Sequence, residues 1–254
     1  MLNLFRASCI YSVLFFLVLG CSSDTKKDKE NTIRKKGVEL IVLGTVQDAG
    51  SPQIACTKNC CKKLFSQPDS SRRVVCLGIV DYETETKWLI EATPDIVKQI
   101  HHLNAYCSFS KNEVPDGILI THAHIGHYTG LMYLGKEAMN ANNVPVYAMP
   151  KMSEFLKSNG PWSQLVENEN IKISAINAEL EIKLSKNITI IPIKVPHRDE
   201  FSETVGFKII GPAKKVLFIP DIDKWQKWDK SIVEEIKACD YAFIDATFFD
   251  GEEI

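Results

Sequence analysis

Gly117-Ile118-Leu119-Ile120-Thr121-His122-Ala123-His124-Ile125-Gly126-His127 is the stretch on which the reading of this chain turns. The apolar run Gly117 to Thr121 reads as a buried strand, and three imidazoles follow within six residues at its end. Side chains alternate along an extended segment, so His122 and His124 fall on one side. Two histidines so placed are able to share one ion. Neutral imidazole suits zinc, iron, manganese or nickel, and an ion with an open position binds water and lowers its pKa toward neutrality. The competing reading is three exposed loop histidines. The chain has six histidines and half of them sit here, which argues against scatter.

Two later segments share this character. Val195-Pro196-His197-Arg198-Asp199-Glu200 places a histidine just after a strand, and Gly206-Phe207 opens the next. Val216-Leu217-Phe218-Ile219-Pro220-Asp221 then closes an apolar strand with a carboxylate.

Around them, alternation and turn residues predict strands at Val38 to Leu43, Val74 to Asp81, Lys87 to Glu91, Val144 to Ala148, Ile171 to Ile176 and Glu179 to Leu184. Further strands are expected at Ile188 to Lys194, Val205 to Ile210, Val216 to Ile219 and Tyr241 to Asp245. Helices are expected from Pro94 to about Leu103, Leu131 to Met139, Lys151 to Lys157 and Asp229 to Lys237. Two strand-rich halves with helices imply two sheets packed face to face, with the helices outside.

The chain has 254 residues, is 45% hydrophobic and 24% charged, and carries a net charge of -2, so one globular domain is expected. It has neither a basic excess nor a long Lys/Arg block, so capture of nucleic acid is not expected.

The first twenty residues have a separate reading. An apolar run from Ile10 to Leu19 follows Arg6 and is too short to span as a mature transmembrane helix, so residues 1–20 read as a signal peptide. Val18-Leu19-Gly20-Cys21 resembles the bacterial lipobox, which makes Cys21 the lipid attachment site and places the protein at the cell envelope, anchored to a membrane. A plain secretory peptide or an uncleaved anchor are the alternatives. Ser22 to Asn31 holds no large apolar residue, so residues 21–37 are expected to be a disordered polar tether. As a flexible coil its 16 residues after Cys21 span roughly 20 to 25 Å. The folded domain is expected over residues 38–254.

The order of histidine cluster, later histidine before a Gly-Phe strand, and strand-closing aspartate resembles the metallo-β-lactamase superfamily of hydrolases. Gly44-Thr45-Val46-Gln47-Asp48-Ala49-Gly50-Ser51-Pro52-Gln53, the cysteines Cys56, Cys60 and Cys61, and Tyr128-Thr129-Gly130-Leu131 after the histidine loop resemble its pyrroloquinoline-quinone biosynthesis B (PqqB) branch. Phosphodiesterase and transfer-RNA-processing branches share the Gly-Phe and aspartate signals.

The resemblance implies an α+β fold, an αββα sandwich of two mixed sheets flanked by helices, with a metal site where strand-end loops converge. By position it implies His122, His124 and His197 as ligands of a first metal, His127 as a ligand of a second, and Asp221 as a bridging carboxylate and proton acceptor. The expected cofactor is zinc, one or two ions, with iron or manganese as alternatives. The superfamily pattern has an aspartate immediately before the last loop histidine, where this chain has Gly126. It also has a further histidine near the C-terminus, whereas none follows His197, so truncation is expected, with a naturally short member as the alternative.

The function this implies is metal-dependent hydrolysis of a small-molecule ester, lactone, amide or phosphodiester. A non-catalytic carrier linked to pyrroloquinoline quinone biosynthesis or transport is the alternative. In the resembled branch an equivalent cysteine group holds a structural zinc; here Cys56, Cys60 and Cys61 are read as a zinc site, a disulfide or free thiols. Cys76, Cys107 and Cys239 are expected to be buried small hydrophobes. Asp48 and Asp245 are secondary candidates with structural capping as an equal reading. Trp225 and Trp228 are read as core cover ahead of a pocket rim, and His101 and His102 as the cationic end of a helix.

Overall fold

The computed structural model describes residues 35–109 and 113–247. Cys21, the signal-peptide segment, most of the tether and residues 248–254 lie outside the described residues. Among the described residues no helix is long and apolar enough to cross a membrane.

Six strands, β1 (Val38–Gly44), β2 (Cys76–Asp81), β3 (Thr86–Ile90), β4 (Gly117–Leu119), β5 (Val144–Ala148) and β6 (Ile171–Ala175), pair in that order in one sheet. Five more, β7 (Ile182–Lys183), β8 (Thr189–Lys194), β9 (Val205–Ile210), β10 (Lys215–Ile219) and β11 (Tyr241–Ile244), form the second in the order β11-β10-β9-β8-β7. Both sheets are mixed. The first is antiparallel through β1, β2 and β3 and parallel from β3 to β6; the second is antiparallel except for the parallel β10–β11 pair. The helices are α1 (Asn59–Lys62), α2 (Ile96–Asn104), α3 (Ile125–Tyr128), α4 (Pro150–Ser158), α5 (Trp162–Glu167) and α6 (Ile232–Lys237).

Period-two alternation sorts the apolar side chains into three layers. Leu77, Ile79 and Leu119 of the first sheet meet Ile190, Phe207 and Phe218 of the second in a core between the sheets. The opposite faces of β2 and β4, through Val80 and Ile118, pack on Ile96, Leu103, Met152 and Leu156 from α2 and α4. On the far side, Ile193, Leu217 and Ile219 are covered by Ile222, Trp228 and Ile232. The result is the αββα sandwich expected from the sequence.

Four elements differ from their sequence reading. Leu131 to Met139 is not an α-helix: a 3₁₀ helix over Thr129–Leu134 ends at Gly135, and Gly130 N donates to Ala92 O at 2.8 Å, which ties the segment to the end of β3. Glu179 to Leu184 reduces to Ile182–Lys183, because Glu179 adopts φ +63 and leaves the extended region. Asn159-Gly160-Pro161 stops α4 as expected but also starts α5, since a proline is tolerated at the front of a helix. Helix α6 begins at Ile232, later than Asp229, with Ser231 Oγ accepting from Glu234 N at 3.4 Å.

Candidate metal centre

The C-terminal ends of β3, β4, β8 and β10 lie at one edge of the sandwich, and each carries a polar side chain into the same space: Glu91, the His122 loop, His197 and Asp221. The loop after β4 is held by backbone. Ile120 N donates to Tyr147 O at 3.0 Å, Val205 N to Thr121 O at 3.2 Å, and Ala123 N to Ser202 Oγ at 2.8 Å. The Asp221 loop is fixed to the His197 loop by Asp223 N donating to Pro196 O at 2.8 Å.

His122, His124, His197 and Asp221 bring one donor atom each to within 4.8 Å of the others. His122 Nε2 stands 3.0 Å from His124 Nδ1, His197 Nε2 stands 3.1 Å from the same Nδ1, and Asp221 Oδ2 lies 3.3 Å from His122 Nε2 and 3.6 Å from His197 Nε2. A tetrahedral ion with nitrogen and oxygen donors at about 2.0–2.1 Å separates neighbouring donors by about 3.3–3.4 Å. The observed edges bracket that value. Direct hydrogen bonding does not account for them, because Nδ1 of His124 has one in-plane position and cannot serve two imidazoles at once. His124 Nε2 meets Glu200 Oε2 at 3.1 Å, and His122 Nδ1 meets Thr121 Oγ1 at 2.8 Å, so outer partners orient both rings.

His127 completes the cluster from α3. Its Nε2 lies 3.2 Å from Asp221 Oδ2 and its Nδ1 lies 3.5 Å from Glu91 Oε2. His127 and Glu91 are fully buried, yet neither imidazole nitrogen makes a hydrogen bond of normal geometry among the described residues. Two carboxylates around one imidazole, Glu91 buried and Asp221 half-buried, call for positive charge. Burial works to lower the His127 pKa, but Glu91 and Asp221 outweigh it and push it up to about 10. Burial drives the His122 pKa down to about 3, so that ring is neutral with a lone pair available. Burial acts to raise the Asp221 pKa, but His122 and His127 hold it well below the usual carboxylate range. Neutral imidazoles, an ionised carboxylate and an orphaned buried histidine are the donor set a divalent cation requires.

Residues 86–254 match the family model described as the beta-lactamase superfamily domain. The chain belongs to that superfamily. Its structure is similar to the Zn(2+)-bound PqqB from Methylobacterium extorquens, with 20% identity, a TM-score of 0.58, and 72% of this chain and 65% of that chain covered. It is also similar to a diphosphatase from the PhnP family, with 22% identity, a TM-score of 0.52, and 74% of this chain and 67% of that chain covered. The chain thus spans about two thirds of each structure's length, and the likeness carries the metallo-β-lactamase fold. No curated protein matches.

Against this superfamily frame, Glu91 is the residue that sequence reasoning missed. Its signal was present, since Trp88-Leu89-Ile90-Glu91 closes an apolar strand with a carboxylate just as Val216 to Asp221 does. Asp245 is structural: its carboxylate accepts from Ile222 N at 3.3 Å and from Thr247 N at 2.9 Å, which braces the loop after Asp221. Trp228 is buried and donates Nε1 to Lys194 O at 2.7 Å, so it covers the outer core, and its edge also lines a small cleft with Lys194, Pro196 and Asp199. Cys76 and Cys107 are buried as expected, whereas Cys239 is half-buried.

The sulfurs of Cys56, Cys60 and Cys61 lie within 4.8 Å of one another without a disulfide, and Cys60 Sγ to Cys61 Sγ is 3.9 Å. Tetrahedral zinc with sulfur at about 2.3 Å sets sulfurs about 3.8 Å apart, so the adjacency of Cys60 and Cys61 is no obstacle to shared coordination. Beside the histidine cluster, Asp221 also lines a cleft of about 650 Å³ with Gln47, Arg72, Phe218 and Asp245. That volume suits a small-molecule ligand.

Proposed function

We propose that this chain is a metal-dependent hydrolase of a small molecule carrying an ester, lactone, amide or phosphodiester bond. The observation that carries the reading is the spacing of His122 Nε2, His124 Nδ1, His197 Nε2 and Asp221 Oδ2, in which four of the six donor separations lie near the edge length of a tetrahedron around one ion and all lie within 4.8 Å. When bound, a divalent ion supplies Lewis-acid polarisation and activates water near neutral pH. His122, His124 and His197 hold it, and Glu200 keeps the His124 ring turned with Nδ1 inward. Asp221 borders both the cluster and the cleft, so its carboxylate is placed to accept the proton that hydrolytic attack releases. Arg72 on the cleft wall favours substrates with an anionic group.

The test is metal content and turnover on chromogenic esters, lactones and phosphodiesters, for the native chain and His122→Ala. The variant is expected to lose one metal equivalent and at least about 100-fold in turnover. Unchanged metal and hydrolysis would overturn the reading. Gly126 favours a second reading, a non-catalytic carrier of a quinone precursor, because it removes a loop carboxylate. Quinone binding without turnover by metal-loaded protein would select it.

Two further assignments belong to the same proposal. Cys56, Cys60 and Cys61 hold a structural zinc, so Cys56→Ser should lose zinc while keeping hydrolysis. Cys21 carries lipid and anchors the protein to a bacterial membrane, so Cys21→Ser should move it from the membrane to the soluble fraction.

A further inference from the structure

The loop that follows β1 reaches across to the histidine loop. Thr45 N and Val46 N both donate to Arg73 O, at 3.0 and 2.9 Å, and Val75 N donates to Val46 O at 2.8 Å. This ladder delivers a turn in which Gly50 N donates to Gln47 O at 3.0 Å, with Gly50 at φ +81 and Ala49 N bound to Gln47 Oε1 at 2.8 Å. Asp48 sits inside that turn. A Cβ built on Gly126 would fall 2.3 Å from Asp48 Cβ, 2.6 Å from its Cα and 2.7 Å from its carbonyl oxygen. Two of these three atoms are backbone, so no change of rotamer admits a side chain at 126.

Position 126 is where the superfamily pattern carries an aspartate, and the Cβ of Asp48 lies 2.3 Å from where a side chain at 126 would begin. Asp48 is half-buried, and its carboxylate has no hydrogen-bond or ion-pair partner among the described residues. The adjacent His127 is fully buried, its Nε2 lacks a normal hydrogen bond, and it points to Asp221 Oδ2 at 3.2 Å. We propose that Asp48 replaces the missing loop aspartate, and that Asp48, His127 and Asp221 form a second cation position beside the first.

Glycine at 126 is then the counterpart of Asp48 and no loss of function. The backbone that brings the carboxylate from the N-terminal loop occupies the room a side chain at 126 would need. Two carboxylates and one imidazole match zinc, manganese or ferrous iron, with charge balanced by a divalent cation. The inference rests on the metal-hydrolase reading above, and it turns a one-ion centre into a two-ion centre that clamps both sides of a reacting group.

The test is titration of metal-stripped protein with Mn(II), followed by calorimetry and by electron paramagnetic resonance. Manganese prefers carboxylate and imidazole to thiolate, which keeps the cysteine cluster silent. The native chain is expected to take two equivalents with a spin-coupled signal. Asp48→Asn should take one, with the second weakened beyond the ~10–100-fold typical of changes one shell further out and the first within about threefold. Asp48→Glu, which keeps the carboxylate, should recover the coupled signal and guards against a folding defect in the asparagine variant. Two equivalents of unchanged affinity in Asp48→Asn, or a single equivalent in the native chain, overturn the second position and leave the hydrolase reading standing. No binding by the native chain removes both.

Discussion

Glu91 Oε2 stands 3.5 Å from His127 Nδ1 with both side chains fully buried, and Glu91 holds this place with a backbone φ of +83. A non-glycine residue in that region costs about 1–3 kcal/mol and persists only where its surroundings fix it. Burial also pushes the Glu91 pKa up, which disfavours the charged form. Positive charge on the far side of the His127 ring offsets that penalty, whether carried by a proton or by a cation. Glu91 faces the His127 ring on the side away from Asp221.

Glu91→Gln keeps the shape but removes the carboxylate charge that faces the His127 ring at 3.5 Å. The expected outcome is an intact fold and a fall of about 10–100-fold in affinity for a cation at His127, with the His122 position within about threefold. Cation titration of the variant measures it. Equal affinities at both positions would reduce Glu91 to packing.

Removing metal should lower the melting temperature, because an ion that binds only the folded chain stabilises it by mass action. At a hundredfold excess over its dissociation constant the gain is about 2.7 kcal/mol. For a domain of this size that corresponds to about 5–11 °C. Calorimetry with and without chelator checks this, and the shift should survive in Cys56→Ser, which separates the histidine centre from the cysteine cluster. An identical melting temperature in both conditions would mean that the folded chain holds no ion.

The sandwich was legible because alternation is a local signal: Leu77 and Ile79 against Cys76 and Val80 already divide the two faces of β2. The histidine loop was legible because rare side chains cluster in it. What escaped was set by contacts distant in sequence. Gly126 reads alone as a lost ligand, and only the fold brings Asp48 against it across 78 positions. Glu91 reads as a strand end until His127 packs behind it. The helical pattern of Leu131 to Met139 gave way to the bond between Gly130 and Ala92, a tertiary override of local propensity.

Gly126→Ala puts a methyl carbon 2.3 Å from Asp48 Cβ and 2.6 Å from its Cα, so the turn at 47–50 has to move. Overpacking of this kind costs about 1–3 kcal/mol. Thermal unfolding should show a fall of about 2–12 °C. Hydrolysis should fall with it if Asp48 binds cation, since its carboxylate is carried away from His127. A stable variant with native melting would contradict the closeness of the two loops.

Asp81 provides a test at the end of the sandwich opposite the histidines. Its carboxylate accepts from Ser185 Oγ at 2.7 Å, from Asn187 Nδ2 at 3.1 Å, and from Glu83 N and Thr84 N at 3.0 and 3.3 Å, which clasps β2 of one sheet to the β7–β8 turn of the other. Burial acts to raise its pKa, yet these donors outweigh it and hold the pKa below the ordinary aspartate value of 3.8. A carboxyl with a depressed folded pKa stabilises above its unfolded value and loses that contribution as pH falls through the folded one. Asp81→Asn should therefore cost about 1.5–3 kcal/mol at pH 7, the range for hydrogen bonds to a charged group. The gap to the native chain should stay level down to about pH 5 and close below the ordinary aspartate range. Denaturant unfolding at a series of pH values reads this directly, and a gap that stays constant into strong acid would show that the clasp does not depend on the charge.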